Sequence, residues 1–145
     1  SDNVERTNGY RDALTEAGID FDPSLVVQGT GRAGGGRQAL SALLSLDDAP
    51  SAAFCYNDMT AIGLMDAARE AGLSVPHDLA VVGFDDITFA RFTHPPLTTI
   101  AQPIDKLGRG AMELVLTLLS VDDRSQLSVT NVTVCGQLIV RASSG

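Results

Sequence analysis

Three short stretches of the sequence carry residue types that can do chemistry. Residues 29–34 follow the pattern G-x-G-x-x-G, residues 57–58 are Asn-Asp, and residues 85–86 are Asp-Asp. Glycine-rich turns can approach phosphate groups closely, whereas paired carboxylates can bind a metal, transfer protons or accept hydrogen bonds from neighbouring hydroxyls. The three stretches therefore leave open a nucleotide site, an acid–base or metal centre, and a site for a polyol.

The glycine-rich stretch fits a nucleotide site poorly. A dinucleotide-binding turn needs an acidic residue about 20 positions further on, at the end of the next strand. Residues 47–48 are acidic but precede the next apolar run, and Asp58 comes later than the pattern requires. A phosphate-binding loop would need Lys-Ser or Lys-Thr where residues 35–36 are glycines. The stretch is therefore predicted to be a flexible connecting loop, and the nearby Arg32 could favour an anion.

The two acidic stretches have structural as well as functional interpretations. Either Asn57 or Asp58 can cap the helix that follows, which would leave the other side chain free to face a cleft. Asp85 and Asp86 end an apolar run, where they could cap a turn or accept hydrogen bonds from ligand hydroxyls. No His, Cys or Lys lies close to them in sequence, and no G-x-S-x-G motif is present, so enzymatic use is disfavoured.

Alternating helical and extended patterns place these stretches in the fold. Apolar residues at helical spacing predict helices around 10–17, 36–44, 57–71 and 103–120. Short apolar runs predict strands at 24–28, 52–56, 78–84, 97–100 and 129–140. Such alternation predicts an α/β fold with a parallel sheet flanked by helices on both faces. Ligands bind outside the carboxyl ends of the strands in such sheets, which is where all three stretches fall.

Composition limits the classes of function. The chain has 145 residues, of which 44% are apolar and 19% charged, as in one globular domain. Its net charge of -8 would repel the phosphates of nucleic acid. No apolar run reaches the length of a membrane span, and no signal peptide is recognisable. Cys55 and Cys135 are predicted to be reduced core thiols, and neither histidine lies at zinc-site spacing, so no metal or cofactor is predicted.

Several longer motifs occur together in a fixed order. They are NDMTAIG at 57–63, DLAVVGFDD at 78–86, PPLTTI at 95–100 before Gln-Pro, and LIVRAS at 138–143, with ERTNGYRDALTEAGI upstream at 5–19. With these motifs the chain resembles the effector-binding region of the lactose/galactose repressor (LacI/GalR) family of bacterial transcription regulators. The resemblance covers nearly the whole chain.

The resemblance implies one lobe of a periplasmic-binding-protein-like fold, together with crossover segments of a second lobe. Residues 1–98 would form the C-terminal lobe of the effector-binding domain. Residues 99–128 would form the crossover and a helix that belongs to the N-terminal lobe in relatives, and residues 129–145 would cross back. The DNA-binding headpiece and most of the N-terminal lobe are expected to be absent from this chain.

The resemblance also implies an effector site made of four side chains. Arg6 matches an effector-contacting arginine, Asn57 the asparagine of the Asn-Asp motif, and Asp85 an aspartate that often accepts two sugar hydroxyls. Gln102 lies at the crossover beside the cleft. An arginine, an amide and a carboxylate suit a polyol because together they can donate and accept many hydrogen bonds.

The loop at Gly31 and Arg32 departs from many relatives, in which an aromatic residue stacks on the ligand. No aromatic occurs between Phe21 and Phe54. This departure implies that the ligand is stacked from the other lobe or is not a typical hexose. A bulkier ligand, or Arg32 folding in, would fill the space at Gly31.

The predicted function is therefore sensing of a small-molecule effector, most simply a sugar, by part of a cytoplasmic regulator. DNA would be contacted only through the headpiece, and neither a membrane nor a catalytic role is expected. A homodimer is expected, with Met59 and Ile62 on its surface because the helix 58–71 is apolar nearly all round. The alternative is a secreted periplasmic-type sugar-binding protein of a transport system, and a nucleotide-dependent enzyme is a remote third.

Overall fold

The computed structural model describes residues 2–120 and 133–145, and the side chains from residue 4 onward. Four α-helices and four β-strands occur within these residues. Their order is α1 (Asp2–Glu16), α2 (Ala33–Leu43), β1 (Ala52–Phe54), α3 (Asp58–Glu70), β2 (Ala80–Asp85), β3 (Thr98–Ala101), α4 (Ile104–Ser120) and β4 (Gln137–Ile139). Short 3-10 helices occupy Pro23–Leu25 and Thr88–Phe92. The predicted α/β class is confirmed.

The strands form one sheet in the order β1-β2-β3-β4. β1 and β3 both pair in parallel with β2, whereas β4 pairs antiparallel with β3. The carboxyl ends of β1, β2 and β3 therefore meet at one edge of the sheet, which we call the carboxyl edge. The parallel part of the sheet agrees with the prediction, and the antiparallel strand is added by the C-terminal segment.

One face of the sheet is covered by α3, and α2 packs against α3. β2 sends Val81 and Gly83 into this layer, and both are buried. The two helices approach at backbone distance, since a Cβ at Gly63 would collide with the main chain of Ala33 and one at Gly36 with the main chain of Thr60. This packing requires glycine at both positions.

The opposite face of the sheet is covered much less. Alternation along β2 directs Phe84 to this face, where the guanidinium of Arg6 from α1 lies 3.8 Å from the ring centroid. Phe54 is directed to the same face and is 50% exposed. α4 contributes no buried residue although it is strongly amphipathic. No described helix is long and apolar enough to cross a membrane.

Two sequence predictions need correction. Residues 24–28 do not form a strand: Pro23–Leu25 is a 3-10 helix, and Val26 beyond it is extended without a strand partner among the described residues. An apolar run forms a strand only where a neighbouring strand accepts its hydrogen bonds, and none lies beside this one. Cys135 is exposed instead of buried, because it precedes the edge strand β4, whereas Cys55 is buried as predicted. Of the strand predicted at 129–140, residues 137–139 are confirmed and residues 129–132 lie outside the described part.

Candidate functional site

Asn57 fastens the glycine-rich loop to the start of α3. Its Oδ1 accepts hydrogen bonds from the backbone N–H and the hydroxyl of Thr60, at 2.9 and 2.8 Å, which makes it the N-cap. Its Nδ2 donates to the carbonyl of Gly31 at 2.9 Å. Gly31 has a φ of +70°, a conformation that favours glycine, and it also lies against the ring of Tyr56. The cap and the loop contact therefore use both polar atoms of the Asn57 amide.

Asp58 is the second member of the pair and is fully buried. Its carboxylate accepts a hydrogen bond from the Thr99 hydroxyl at 2.5 Å and another from the Ile87 backbone N–H at 2.8 Å. The close approach leaves no room for a side chain at Gly83 on the neighbouring strand. Asp58 thus ties α3 to β3 and to the turn that follows β2.

Burial raises the pKa of Asp58 above its ordinary value, because the charged form loses its hydration. The hydrogen bonds from Thr99 and Ile87 oppose this effect, whereas the negative charges of Asp85 and Asp86 add to it. The same buried environment, together with the charge of Asp58, raises the pKa of the Cys55 thiol to about 12. Such a thiol is inert as a nucleophile at neutral pH.

Asp85 and Asp86 form a strained turn at the carboxyl end of β2. Their φ angles are +117° and +54°, in a region that side chains other than glycine rarely occupy. Each such residue costs about 1–3 kcal/mol, and such strain persists where surrounding contacts fix it. Here Arg141 does so, since its guanidinium donates to Asp86 at 2.7 Å and to the Leu97 carbonyl at 2.7 Å.

The strained turn presents Asp85 to the residue that follows β3. Gln102 Nε2 donates to Asp85 Oδ1 at 2.6 Å, and both side chains are partly exposed. The remaining acceptor sites of the carboxylate and the Gln102 carbonyl oxygen have no hydrogen-bond partner within the described residues. Together they offer oxygen acceptors to hydroxyl or amine groups of a ligand.

Arg6 reaches the same edge of the sheet from α1. Its guanidinium lies 4.4 Å from the centroid of the Tyr56 ring and 3.8 Å from that of Phe84, and it donates to the Tyr56 carbonyl. Cation–π contacts of this kind hold the charge in place without neutralising it. Arg6 therefore remains able to pair with a polar ligand group.

The structure places the four predicted site residues at the carboxyl edge. Arg6 contacts residues at the ends of β1 and β2, Asn57 follows β1, Asp85 ends β2 and Gln102 follows β3. Only Asp85 and Gln102 contact each other directly. The predicted loop residues separate, since Gly31 contacts Asn57 whereas Arg32 is exposed at the start of α2.

The two residues predicted for a dimer surface lie in different environments on α3. Met59 is 43% exposed, whereas Ile62 packs against the hydrophobic core cluster. Met59 is thus available to a partner, and Ile62 is available only at its edge.

Sequence reasoning missed three residues that shape the site. Thr99 of β3 donates to Asp58, Arg141 of the C-terminal tail donates to Asp86, and Phe84 supports Arg6. Thr99 and Arg141 lie inside the PPLTTI and LIVRAS motifs, so a polar residue within an otherwise apolar motif was the available signal. Among the described residues, no cluster of His, Cys, Asp and Glu could hold a metal ion.

Comparison with known proteins matches residues 1–144 to a family model described as a periplasmic binding protein-like domain. The repressor CytR of Escherichia coli K12 is 44% identical over 111 residues, which are 77% of this chain and 33% of that protein. The repressor PurR of Haemophilus influenzae is 36% identical over 138 residues, which are 95% of this chain and 41% of that protein. The chain therefore spans well under half the length of these relatives.

A solved structure of the transcriptional regulator CelR in complex with cellobiose has the same fold. It superposes with a TM-score of 0.89 at 33% identity, covering 97% of this chain and 42% of that one. Both the sequence relatives and this structure are regulators of transcription, and each places the equivalent of this chain within a longer polypeptide.

Proposed function

Because this chain belongs to the periplasmic binding protein-like family, and within it to the effector-binding domains of LacI/GalR regulators, we propose that it senses a sugar. The sugar would be an allosteric effector and not a substrate, so the role is not enzymatic. DNA would be bound by a separate headpiece in the cytoplasm. The net charge of -8 supports this division, since it disfavours direct contact with DNA phosphates.

The observation that carries the proposal is the Asp85–Gln102 pair on a strained turn. Gln102 Nε2 donates to Asp85 Oδ1 at 2.6 Å, and both side chains are partly exposed. Neighbouring hydroxyls of a sugar can each donate to a side-chain oxygen of this pair. The backbone strain at Asp85 and Asp86 is typical of sites where a fixed geometry serves binding.

Arg6 complements the pair by donating to the acceptor oxygens of the sugar. Its position between Tyr56 and Phe84 fixes the guanidinium before a ligand arrives, which lowers the entropy lost on binding. Asn57 would contribute the second N–H of its Nδ2, since the first bonds the Gly31 carbonyl, and Gly31 leaves space there for part of the ligand. The lining near Gly31 lacks an aromatic ring of the loop itself, so Tyr56 would offer the nearest one.

We assign residues 1–98 to one lobe, residues 99–128 to the crossover and a helix of the other lobe, and residues 129–145 to the return. The lack of any buried residue in α4 supports this assignment, because an apolar helix face normally packs against another element. Closure of two lobes on the effector would shift the equilibrium between DNA-binding states, provided that the effector prefers one of them. Met59 would lie in the dimer interface of the effector domains.

The test uses the complete effector domain, calorimetry, and cellobiose, sucrose, ribose and uridine as probes. We expect at least one sugar to bind, and Asp85→Ala and Arg6→Ala each to weaken that binding by at least about tenfold, or 1.4 kcal/mol. The matched controls are Asp12→Ala and Arg91→Ala, which remove exposed residues of the same types.

All four variants should keep the circular dichroism of the parent. Unchanged affinity in both site variants would remove the site assignment. Tight binding of uridine without any binding of the three sugars would replace the proposed ligand class.

A further inference from the structure

Residues 141–143, which we call the tail, are built into the sheet. Ser143 is fully buried and lies between the starts of β2 and β3. The Val81 N–H donates to its carbonyl at 2.7 Å, and its hydroxyl donates to the Val81 carbonyl at 2.6 Å. On the other side, the Thr98 N–H donates to the Ser143 hydroxyl at 2.8 Å, and the Ser143 N–H donates to the Pro96 carbonyl at 3.0 Å. The tail is therefore anchored to both strands.

The anchored tail fixes Arg141 in its backbone and in its side chain. The Arg141 N–H donates to the Thr98 hydroxyl at 2.8 Å, and the Arg141 side chain is only 16% exposed. One terminal nitrogen of the guanidinium donates to the Leu97 carbonyl and the other to Asp86. A guanidinium that is bonded at both ends of its planar fork has little freedom to turn, so it fixes the carboxylate that it binds.

The strained turn carries negative charge that Arg141 offsets. The charges of Asp85 and Asp86 contribute to the raised pKa of Asp58, so the three carboxylates interact. Within the described residues, the only ion pair that these carboxylates form is the one between Asp86 and Arg141. Asp86 is 19% exposed, so water replaces this cation poorly. Without Arg141, repulsion between the carboxylates and the strain of two positive φ angles both favour a different turn.

Asp85 shares this turn with Asp86, although no hydrogen bond joins it to the described tail. Its side chain is bonded instead to Gln102, which follows β3. The backbones of Asp85 and Asp86 meet in one planar peptide group, so a rotation at Asp86 also turns the chain at Asp85. The Asp85–Gln102 contact therefore depends on Arg141, a residue that touches neither of them.

We propose that Arg141 is a positioning residue of the effector site, which acts through Asp86 to hold Asp85 toward the ligand. The proposal rests on the proposed function, because that function assigns Asp85 to the site. When Arg141 is absent, the turn also adopts arrangements that cannot bind. The apparent affinity then falls in proportion to the fraction of molecules that keep the competent turn. The tail thereby sets the affinity of a site that it does not contact.

The first measurement follows the side-chain amide of Gln102 by NMR in this chain, without any ligand. In the parent this amide donates to Asp85, and Asp85→Ala gives the resonance position of the amide without its acceptor. We expect Arg141→Ala to move the Gln102 resonance most of the way toward that position. Leu40→Ala is the control for lost stability, because it removes a buried side chain of α2 and leaves the contacts of the turn intact. It should leave the Gln102 resonance at its parent position.

The second measurement is calorimetry on the complete regulator, with cellobiose, sucrose and ribose as probes. For a probe that binds the parent, Arg141→Ala should weaken binding by about tenfold. The same substitution in an Asp86→Ala background should weaken binding no further, since Arg141 then has no carboxylate through which to act. Leu40→Ala should bind the probe as the parent does.

Three results would overturn the proposal. The first is a Gln102 resonance that stays at its parent position in Arg141→Ala. The second is a shift or an affinity loss of the same size in Leu40→Ala, which would show a general loss of stability. The third is an affinity loss for Arg141→Ala that persists in full in the Asp86→Ala background. If none of the sugars binds the parent, the proposed function fails, and the Gln102 resonance alone then decides whether Arg141 positions Asp85.

Discussion

The part of the sheet around β2 and β3 and the part beside β1 differ in how completely their polar groups are hydrogen-bonded and their apolar groups are buried. We call these parts the closed side and the open side. On the closed side, formed by Asp58, Asp86, Thr99 and Arg141, every described polar side chain has a hydrogen-bond partner. On the open side, formed by Phe54 of β1 and residues 25–28, large apolar side chains are exposed and strand edges face a cavity. The difference indicates that contacts within the described residues stabilise the closed side more than the open side.

The largest expected effect comes from the centre of the closed side. Asp58→Ala should lower the free energy of unfolding by roughly 2–3 kcal/mol, because it leaves the Ile87 N–H and the Thr99 hydroxyl without their acceptor. Asp66→Ala is the matched control on the same helix. Asp66 is 46% exposed and pairs with Arg37 and Arg69 at the surface, so its loss should cost less than about 1 kcal/mol. Urea denaturation measures both, and equal losses would refute the contrast.

The ion pair at the end of the chain should rank next. Arg141→Ala should cost roughly 1–3 kcal/mol in urea denaturation, since Arg141 and Asp86 are only 16% and 19% exposed and the Leu97 carbonyl also loses its donor. Arg69→Ala provides the comparison, because Arg69 is 71% exposed. A loss for Arg141→Ala no larger than that for Arg69→Ala would show that the tail does not fasten the strained turn.

The pH dependence of the unfolding free energy should show whether burial or hydrogen bonding has the larger effect on the pKa of Asp58. Burial raises the pKa of Asp58 in the folded chain. The stability that the protonated Asp58 contributes is therefore complete below its ordinary pKa and is lost as the pH rises through its pKa in the folded chain. The unfolding free energy of the parent minus that of Asp58→Asn should therefore decrease with rising pH in that window. A difference that increases with pH would mean that the two hydrogen bonds outweigh burial.

The smallest effect is expected on the open side. Val26→Ala should change the free energy of unfolding by less than about 0.5 kcal/mol, because Val26 is 42% exposed and its edge is unpaired. The same substitution at the fully buried Val81 should cost roughly 2–3 kcal/mol. Urea denaturation measures both variants. Equal losses for Val26→Ala and Val81→Ala would refute the contrast between the two sides.

Sequence patterns predicted the closed side better than the open side for a physical reason. The sequence predicts the positions of α3, β2 and β3 to within a few residues. Each of these elements has its own apolar periodicity and is bounded by residues that end a helix or a strand. The stretch 24–28 is equally apolar. A strand also needs a neighbouring strand to pair with, however, and the sequence pattern of the stretch does not show whether one is present. The ends of α3 also follow from local chemistry, since Asn57 caps it and Gly72 lies beyond it at φ +79°.

The sequence motifs identify candidate site residues but do not reveal the contacts between them. Asp85 and Gln102 stand in recognisable motifs, and the structure shows them bonded. The role of Asp58 was not predictable, because whether a carboxylate caps a helix or crosses to Thr99 is decided by tertiary packing. Likewise, the positive φ angles at Asp85 and Asp86 contradict the usual preference for glycine, so only the structure reveals them.

The glycine contacts between α2 and α3 have a mechanical consequence. With main chain against main chain at Gly36 and Gly63, no flexible side chain lies between the helices to absorb a displacement at these points. Asn57 adds a fixed link from α3 to Gly31, just ahead of α2. We therefore expect the loop and the two helices to move as one rigid unit, so that a displacement of Gly31 at the edge of the site also displaces Met59.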